Sequence, residues 1–595
     1  MRCGLAFLLL TPCVLLAQVA SPCNKTPAYS PCELVFDLPA GAPAGNPYAG
    51  VELKVDFRSP RQRTYAMPGF WDGGRRMVVR FSPVEPGEWA YRATSNIEAL
   101  NGKEGTFTAA ASDAPGFIKP AEMHHWAYTE RNLGHLWMGV AEMNFLAMDD
   151  AAFRAMADAR AAQKFNHLCG MAVTALPGLP VMSEGAPNPA YFQRLDQRVR
   201  YLNQKGLIAD LVLSQRPAYF SQPPFTNAAD RRRFMRYLAA RYAPMNITWV
   251  LTDEFDGSSG VRAILKECGL ALKESDPYRH PRTSGAQITS APLLDDGWVD
   301  FAAYGPGADD SVGAIEHQLY PVPFVNLSPG AGLDADAFRH RVWNAFMDGQ
   351  YPTGVAADAA AARVMTGWYD LISGTRHWEL EPYFDVDGGR AVALEDTDYI
   401  VYMEKPGPLD LRVEKHSYEV YWMDPATGAL TKEKKDFSGE HFTGSPPSGA
   451  HDWVLRLVRT AHLAGLGRSY KFESRSSEED SKALPVQIQE IEHDAAKAPF
   501  TIDQFPQDLS LSLPAPFLLK VTRQTRATRS MMWLWTGEAT IGGEGYRVLS
   551  TAQQGYMKLP AGMAEALPVP LVVRLYGMNA NGKIYVLTKP CQLNR

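Results

Sequence analysis

Between about residues 118 and 375, short apolar runs alternate with amphipathic stretches of helical period, and no other feature of the chain constrains its fold as tightly. A parallel strand rejoins its sheet only through a crossover, which a helix supplies. Strand-then-helix repetition over about 250 residues is therefore the pattern of one eight-stranded β/α barrel. The pattern predicts strands at Leu136–Val140, His167–Ala172, Ile208–Leu213, Thr248–Leu251, Phe301–Tyr304 and Phe324–Asn326. Helices are expected at Asp150–Gln163, Tyr191–Lys205, Ala228–Tyr242 and Asp334–Asp348.

The helical period is absent on both sides of this stretch. Upstream, Glu33–Leu38, Val51–Phe57, Met77–Phe81, Trp89–Ala93 and Gly105–Ala109 alternate between Pro/Gly turns, as an Ig-like β-sandwich does. Downstream, Val392–Leu394, Tyr399–Met403, Leu409–Val413, Tyr418–Met423 and Trp453–Val458 read as a second sandwich, with a hairpin turn at Asp424-Pro-Ala-Thr-Gly428. The charged, Ser-rich run Glu473–Lys482 reads as a linker, and a last β-rich module follows. The expected architecture is multidomain: a central (β/α)8 TIM barrel flanked by β-sandwich domains. Its expected parts are a signal peptide at 1–20, a sandwich at 21–115, the barrel at 116–377, a second sandwich at 378–462 and a C-terminal module at 463–595.

The first twenty residues carry one positive charge, a short apolar run and small residues at Ala17 and Ala20, which is the form of a secretory signal. That run is too short to span a bilayer as a helix, so the expected location is secreted or periplasmic, with no transmembrane segment. Removing it leaves five cysteines. Cys23 and Cys32 lie close together in a Pro-rich segment of an exported chain and are expected to form a disulfide. Cys169, Cys268 and Cys591 lack metal-ligand spacing, and Cys169 and Cys268 read as core residues. The formal net charge is −6, with Lys and Arg scattered singly, so no basic stripe exists to bind nucleic acid.

The chemistry is concentrated where Asn246-Ile-Thr-Trp-Val-Leu-Thr-Asp-Glu-Phe-Asp-Gly257 turns abruptly from apolar to acidic. A buried strand delivering carboxylates to the C-terminal face of a barrel suits acid/base catalysis, and Glu254 is the first candidate for a general acid, with Asp253 beside it. Asn166 and His167, Ser214, Gln215 and Arg216, and Asn326 and Ser328 are expected to converge on the same rim. Arg216 has the chemistry to bind sugar hydroxyls or an acidic sugar. Asn326 must satisfy its amide with a neighbour or a ligand. Trp137, Tyr304, Trp343 and Trp368 are candidate platforms for a sugar ring, whose apolar face matches an aromatic one. Each has a second reading as core. His124, His125 and His135 show no short spacing to Cys, Asp or Glu and read as hydrogen-bonded barrel residues; no metal is expected. Arg231-Arg-Arg233 reads as a solvated helix face.

Three segments of the chain resemble a bacterial family of apiosidase-like glycoside hydrolases. Phe81-Ser-Pro with Gly87-Glu-Trp-Ala-Tyr91 looks like the sandwich of unknown function that precedes such barrels. Phe165-Asn-His-Leu168 and Trp249-Val-Leu-Thr-Asp-Glu254 look like the barrel's strand ends. The run Trp368-Tyr-Asp-Leu-Ile-Ser-Gly-Thr-Arg-His-Trp-Glu-Leu-Glu-Pro382, with Val420-Tyr-Trp-Met-Asp-Pro-Ala-Thr-Gly428, is similar to the exit into the family's collagen-binding-like sandwich. The likeness covers roughly residues 32–460. It implies hydrolysis of a plant or microbial polysaccharide or oligosaccharide without a cofactor, with Glu254 in the place of the acid/base.

Two departures stand against that pattern. Relatives end a late strand in Pro-x-x-Asn-x-Glu, whose Glu is the nucleophile, whereas this chain reads Pro323-Phe-Val-Asn-Leu-Ser328. Relatives also show Gly-Asp after the first strand, where Gly139 is here followed by Val140, with Glu142 close behind. Glycosidases need two carboxyl groups, and a hydroxyl does not replace one without an activating base. Either Glu142, Asp253, Asp256 or Asp334 supplies the second acid, or the chain is a non-catalytic glycan-binding or surface adhesion protein.

Overall fold

A computed structural model of the protein describes residues 22–41, 45–121, 123–130, 133–255, 261–306, 310–328, 330–355, 359–460, 491–503, 508–510, 517–523, 532–541, 544–550, 554–557, 567–579 and 583–594. The expected signal peptide, the Glu473–Lys482 linker and Asp256 lie outside the described residues.

The alternating segment folds into eight parallel strands: Gly139–Ala141, His167–Met171, Ile208–Val212, Ile247–Val250, Arg282–Thr283, Ala302–Tyr304, Phe324–Asn326 and Gln350–Gly354. Their order around the sheet is fifth, fourth, third, second, first, eighth, seventh, sixth, so the first and eighth pair and the ring is closed except between the fifth and sixth. At that seam the Asp300 N–H donates to the Arg282 carbonyl at 2.8 Å, and the Arg282 guanidinium holds the Asp300 carboxylate at 2.9 Å. The helices Asp150–Ala162, Pro189–Gln204, Ala228–Tyr242, Arg262–Ser275, Asp310–Leu319, Ala335–Met347 and Ala359–Ser373 wrap the outside. Strands two, three and four are buried at every position, which explains why they read as largely apolar runs rather than alternating ones.

Two antiparallel sheets form the N-terminal sandwich, one containing Cys32–Asp37 and Arg76–Phe81, the other Leu53–Arg58, Gly87–Ser95 and Glu104–Ala109. Phe57 stacks on Phe81 at 3.9 Å in its core, and Cys23 is disulfide-bonded to Cys32 at its edge. The sandwich is fastened to the barrel by buried charge. Arg80, from Arg76–Phe81, and Arg241, from the helix Ala228–Tyr242, each reach a carboxylate oxygen of Asp196, at 2.7 and 2.8 Å. Arg80 also holds Glu33 at 2.9 Å, and Arg241 holds Asp72 at 2.8 Å. Arg231, expected on a solvated face, is instead buried, pairing with Glu267 at 2.8 Å and donating to the carbonyls of Phe220 and Phe225.

After the last barrel helix, Glu381–Tyr383, Arg390–Leu394, Asp398–Met403, Leu409–Asp424 and Trp453–Arg459 build an eight-stranded antiparallel assembly with the neighbouring short strands. It docks on the helix Ala335–Met347, where Trp343 stacks on Tyr402 at 5.8 Å and Arg339 grips the buried Asp452 carboxylate at 2.5 Å. Beyond it, Met532–Ile541, Val569–Met578 and Ile584–Asn594 form the centre of a further sheet. Among the described residues, no helix is long and apolar enough to cross a membrane.

Candidate functional site

The fourth strand, Ile247–Val250, is buried throughout, and Leu251 and Thr252 are buried too before the chain breaks out into Asp253 and Glu254. Backbone bonds to both neighbouring strand ends fix this corner. The Asp253 N–H donates to the Ser214 carbonyl at 3.0 Å, Gly285 N–H to the Thr252 carbonyl at 2.8 Å, and Phe255 N–H to the Gly285 carbonyl at 3.1 Å. Only glycine fits at position 285, since a Cβ there would sit 2.0 Å from the Asp253 carbonyl oxygen. Gly305 is under the same constraint, 1.7 Å from the Ala286 oxygen.

The result is a cleft of about 430 Å³ over the C-terminal ends of strands four to seven. Asp253 and Glu254 line one side; Leu327, Ser328, Leu333 and Arg341 line the other, with Gly285, Gln287, Tyr304 and Gly305 between. Asp253 keeps a solvent-open edge, yet loss of hydration on its inner side, with the charge of Glu254 beside it, raises its carboxyl above the ordinary carboxylate value. A proton is thus held more readily at this strand end than on a free carboxylate. Opposite, the Arg341 guanidinium donates to the Gly305 carbonyl at 3.3 Å. Ser328 is buried, and its N–H donates to the Asn326 Oδ1 at 3.0 Å. Asn326 satisfies its amide internally, donating from Nδ2 to Gln350 at 3.1 Å. Among the described lining residues, Asp253 and Glu254 are the carboxylates.

The remaining expected residues scatter. Gln215 and Arg216 are exposed just past the third strand, on the same rim but not on the cleft wall. Asn166 and His167 do not join them: they begin the second strand, and the start of a parallel strand lies at the barrel face opposite the acids. There Asn166 accepts from Met138 N–H at 2.8 Å and donates to the Leu136 carbonyl at 2.7 Å. His167 lies inside the barrel, 2.8 Å from Asp210 and 2.9 Å from His135. Burial, then the neighbouring His167, holds the His135 imidazole well below its ordinary value, so this ring is neutral. Trp137 is fully buried and stacked on His167 at 3.4 Å, so it offers no face to a sugar. Trp343 and Trp368 are equally buried. The Tyr304 ring is buried too, its hydroxyl donating to Glu316 at 2.7 Å.

Two of the proposed second acids are occupied elsewhere. Glu142 is held by Arg160 at 2.8 Å, and Asp334 caps the helix Ala335–Met347 by accepting from Ala337 N–H at 2.8 Å. Arg341 was not legible in the sequence, since nothing distinguishes it from the other polar residues of its helix. Gly305 carried a usable signal, a glycine directly after the apolar strand Ala302–Tyr304, whereas Gly285 follows the polar Arg282-Thr-Ser284 and carried none. At the opposite face, His124, His125, His317 and Glu381 meet beside a larger cavity of about 590 Å³. Of these, His124, His317 and Glu381 bring one ligating atom each within 4.8 Å of one another.

Residues 136–329 match the family model of the apiosidase-like catalytic domain, and residues 25–96 match a domain of unknown function, DUF5060. A candidate glycoside hydrolase from Bacteroides vulgatus ATCC 8482 superposes with a TM-score of 0.64 at 20% identity, covering 73% of this chain and 100% of its own. A glycoside hydrolase family 5 structure from the same strain superposes with a TM-score of 0.51 at 14% identity, covering 60% of this chain and 95% of its own. At such identities these superpositions establish a shared fold. No curated protein matches the chain. The barrel thus shares its fold with these glycoside hydrolases, and residues 136–329 are similar to the apiosidase-like catalytic domain.

Proposed function

We propose that the protein is an exported glycoside hydrolase acting on a plant or microbial polysaccharide or oligosaccharide, with Glu254 as general acid/base. The observation that carries this reading is the cleft itself. Two carboxyl groups stand at the end of a barrel strand, in a cavity of about 430 Å³, facing a guanidinium and apolar side chains suited to a sugar's hydroxyls and its C–H face. Glu254 gives its proton to the glycosidic oxygen as the bond breaks, and a water adds its hydroxyl to the anomeric carbon and returns a proton to Glu254. Asp253, whose carboxyl is raised by burial and then by the charge of Glu254, lines the same cleft. Arg341 and Ser328 orient hydroxyls from the far wall. The cleft suits a short glycan segment held by hydrogen bonds and aliphatic contacts rather than by an aromatic platform.

One observation favours a second reading, a glycan-binding protein without turnover: the wall opposite Glu254 presents Ser328 where the family resemblance calls for a carboxylate. Comparing wild type with Ser328→Glu on aryl glycosides and plant polysaccharides separates the two. Hydrolysis by wild type that the added charge reduces supports the enzyme, because a third carboxylate would raise its neighbours' pKa values and obstruct the sugar. Binding without turnover in wild type, with activity appearing only in Ser328→Glu, overturns it in favour of the binding protein.

A further inference from the structure

The face of the barrel opposite the cleft gathers ionisable groups from three separate segments. His124 precedes the strand His125–Tyr128, His317 lies in the last turn of the helix Asp310–Leu319, and Glu381 opens the second sandwich. His124 Nδ1 is 3.1 Å and His317 Nε2 3.4 Å from Glu381 Oε2, and the three ligating atoms lie within 4.8 Å of one another. We propose that His124 Nδ1, His317 Nε2 and a Glu381 carboxylate oxygen form a divalent-cation site that takes Zn²⁺, distinct from the glycan cleft and joining hairpin, barrel and sandwich.

The two spacings onto Glu381 Oε2, 3.1 and 3.4 Å, match ligands around a small tetrahedral ion, since bonds of about 2.0–2.1 Å place neighbouring ligand atoms about 3.3 Å apart. Proton accounting points the same way. His124 Nε2 lies 3.2 Å from the Tyr320 carbonyl, which can only accept, so Nε2 carries the ring proton. Nδ1 then faces carboxylate oxygens 3.1 and 3.2 Å away, a contact that calls for either a second ring proton or a cation between them. Gly349 packs directly against the His317 ring, where a Cβ would come within 2.4 Å of Nε2.

The surroundings complete the site. His125 Nε2 is 3.2 Å from the other carboxylate oxygen, Glu381 Oε1, and its Nδ1 is 2.8 Å from the Tyr351 hydroxyl, so His125 positions the carboxylate. His124 and Glu381 also line the cavity of about 590 Å³, which provides an entry path and room for a water as fourth ligand. Two imidazoles with one carboxylate favour zinc over the hard cations, which prefer all-oxygen sets. Conservation of stability rather than catalysis is the usual business of this barrel face, so the ion acts as a staple.

The test uses the untagged full-length chain stripped by chelator and titrated with Zn²⁺ and Co²⁺. One equivalent of Zn²⁺ per chain, visible d–d bands with Co²⁺, and a melting temperature raised by about 5–10 °C at a hundredfold excess over Kd are expected. His317→Gln and Glu381→Gln should weaken binding by more than about 100-fold, and His125→Ala, which keeps all three ligands, by about 10–100-fold. A stripped wild type that takes up no Zn²⁺, or ligand variants that bind it as tightly as wild type, overturns the proposal. The wild-type Co²⁺ titration decides the matter even if a variant fails to fold.

Discussion

Asp196 should be the most stability-critical acid at the boundary between sandwich and barrel. Its two oxygens are gripped by Arg80 and Arg241, both nearly inaccessible to water, at 2.7 and 2.8 Å. Removing the carboxylate with Asp196→Ala strands two buried guanidinium groups, each left with a single acid, Glu33 or Asp72. Breaking a buried pair from one side costs about 3–5 kcal/mol, because the remaining charge is uncompensated. At about 2–4 °C per kcal/mol for a domain of barrel size, the expected fall in melting temperature is about 10 °C. Calorimetry should show it, together with faster proteolysis of the sandwich. The pH dependence has a definite sign. Burial alone would raise the Asp196 carboxyl, but Arg80 and Arg241 outweigh it and hold the group below its ordinary value. Its contribution is therefore full above the unfolded value of about pH 4 and is lost as pH falls through the depressed folded value. The gap between wild type and variant should narrow in acid. A shift under about 2 °C at pH 7, or a gap that widens in acid, would refute the argument that charge fastens the sandwich.

Other consequences follow from the same geometry. Asp253 has its carboxyl raised by burial and by Glu254, so its ionised form strains the fold; Asp253→Asn should raise the melting temperature at pH 7, and calorimetry across pH should show the gain fading below about pH 4, where the acid is protonated folded or unfolded. Asp334→Ala should cost about 1 kcal/mol, the value of a lost helix cap, with kcat unchanged; loss of turnover at unchanged stability would instead make it the second acid.

The barrel was legible because its buried strands are uninterrupted apolar runs, and six of the eight were placed to within a few residues. The fifth and eighth were not. Arg282–Thr283 is too short to show a period, and Gln350-Tyr-Pro-Thr-Gly354 carries Pro and Gly, which argue against a strand. Asp253 and Glu254 stood out because an apolar run ends in acid. His167 misled because a polar residue at a strand's beginning looks in sequence like one at its end, yet the two ends of a barrel do different work. The tryptophans misled for a tertiary reason: a stacking platform and a core residue have the same letter, and burial alone separates them. The His124, His317 and Glu381 constellation left no local spacing, since its members come from a hairpin, a helix and a different sheet.

The central claim is that Glu254 donates the proton that releases the leaving sugar. It is tested most directly by kcat/KM for wild type and Glu254→Gln on glycosides whose leaving groups range from poor alkoxides to dinitrophenolate. The account predicts turnover by wild type and a loss of about 10²–10⁴-fold in the variant on poor leaving groups, shrinking as the leaving oxygen ceases to need a proton. Undiminished turnover in Glu254→Gln, or a loss of the same size whatever the leaving group, would contradict it.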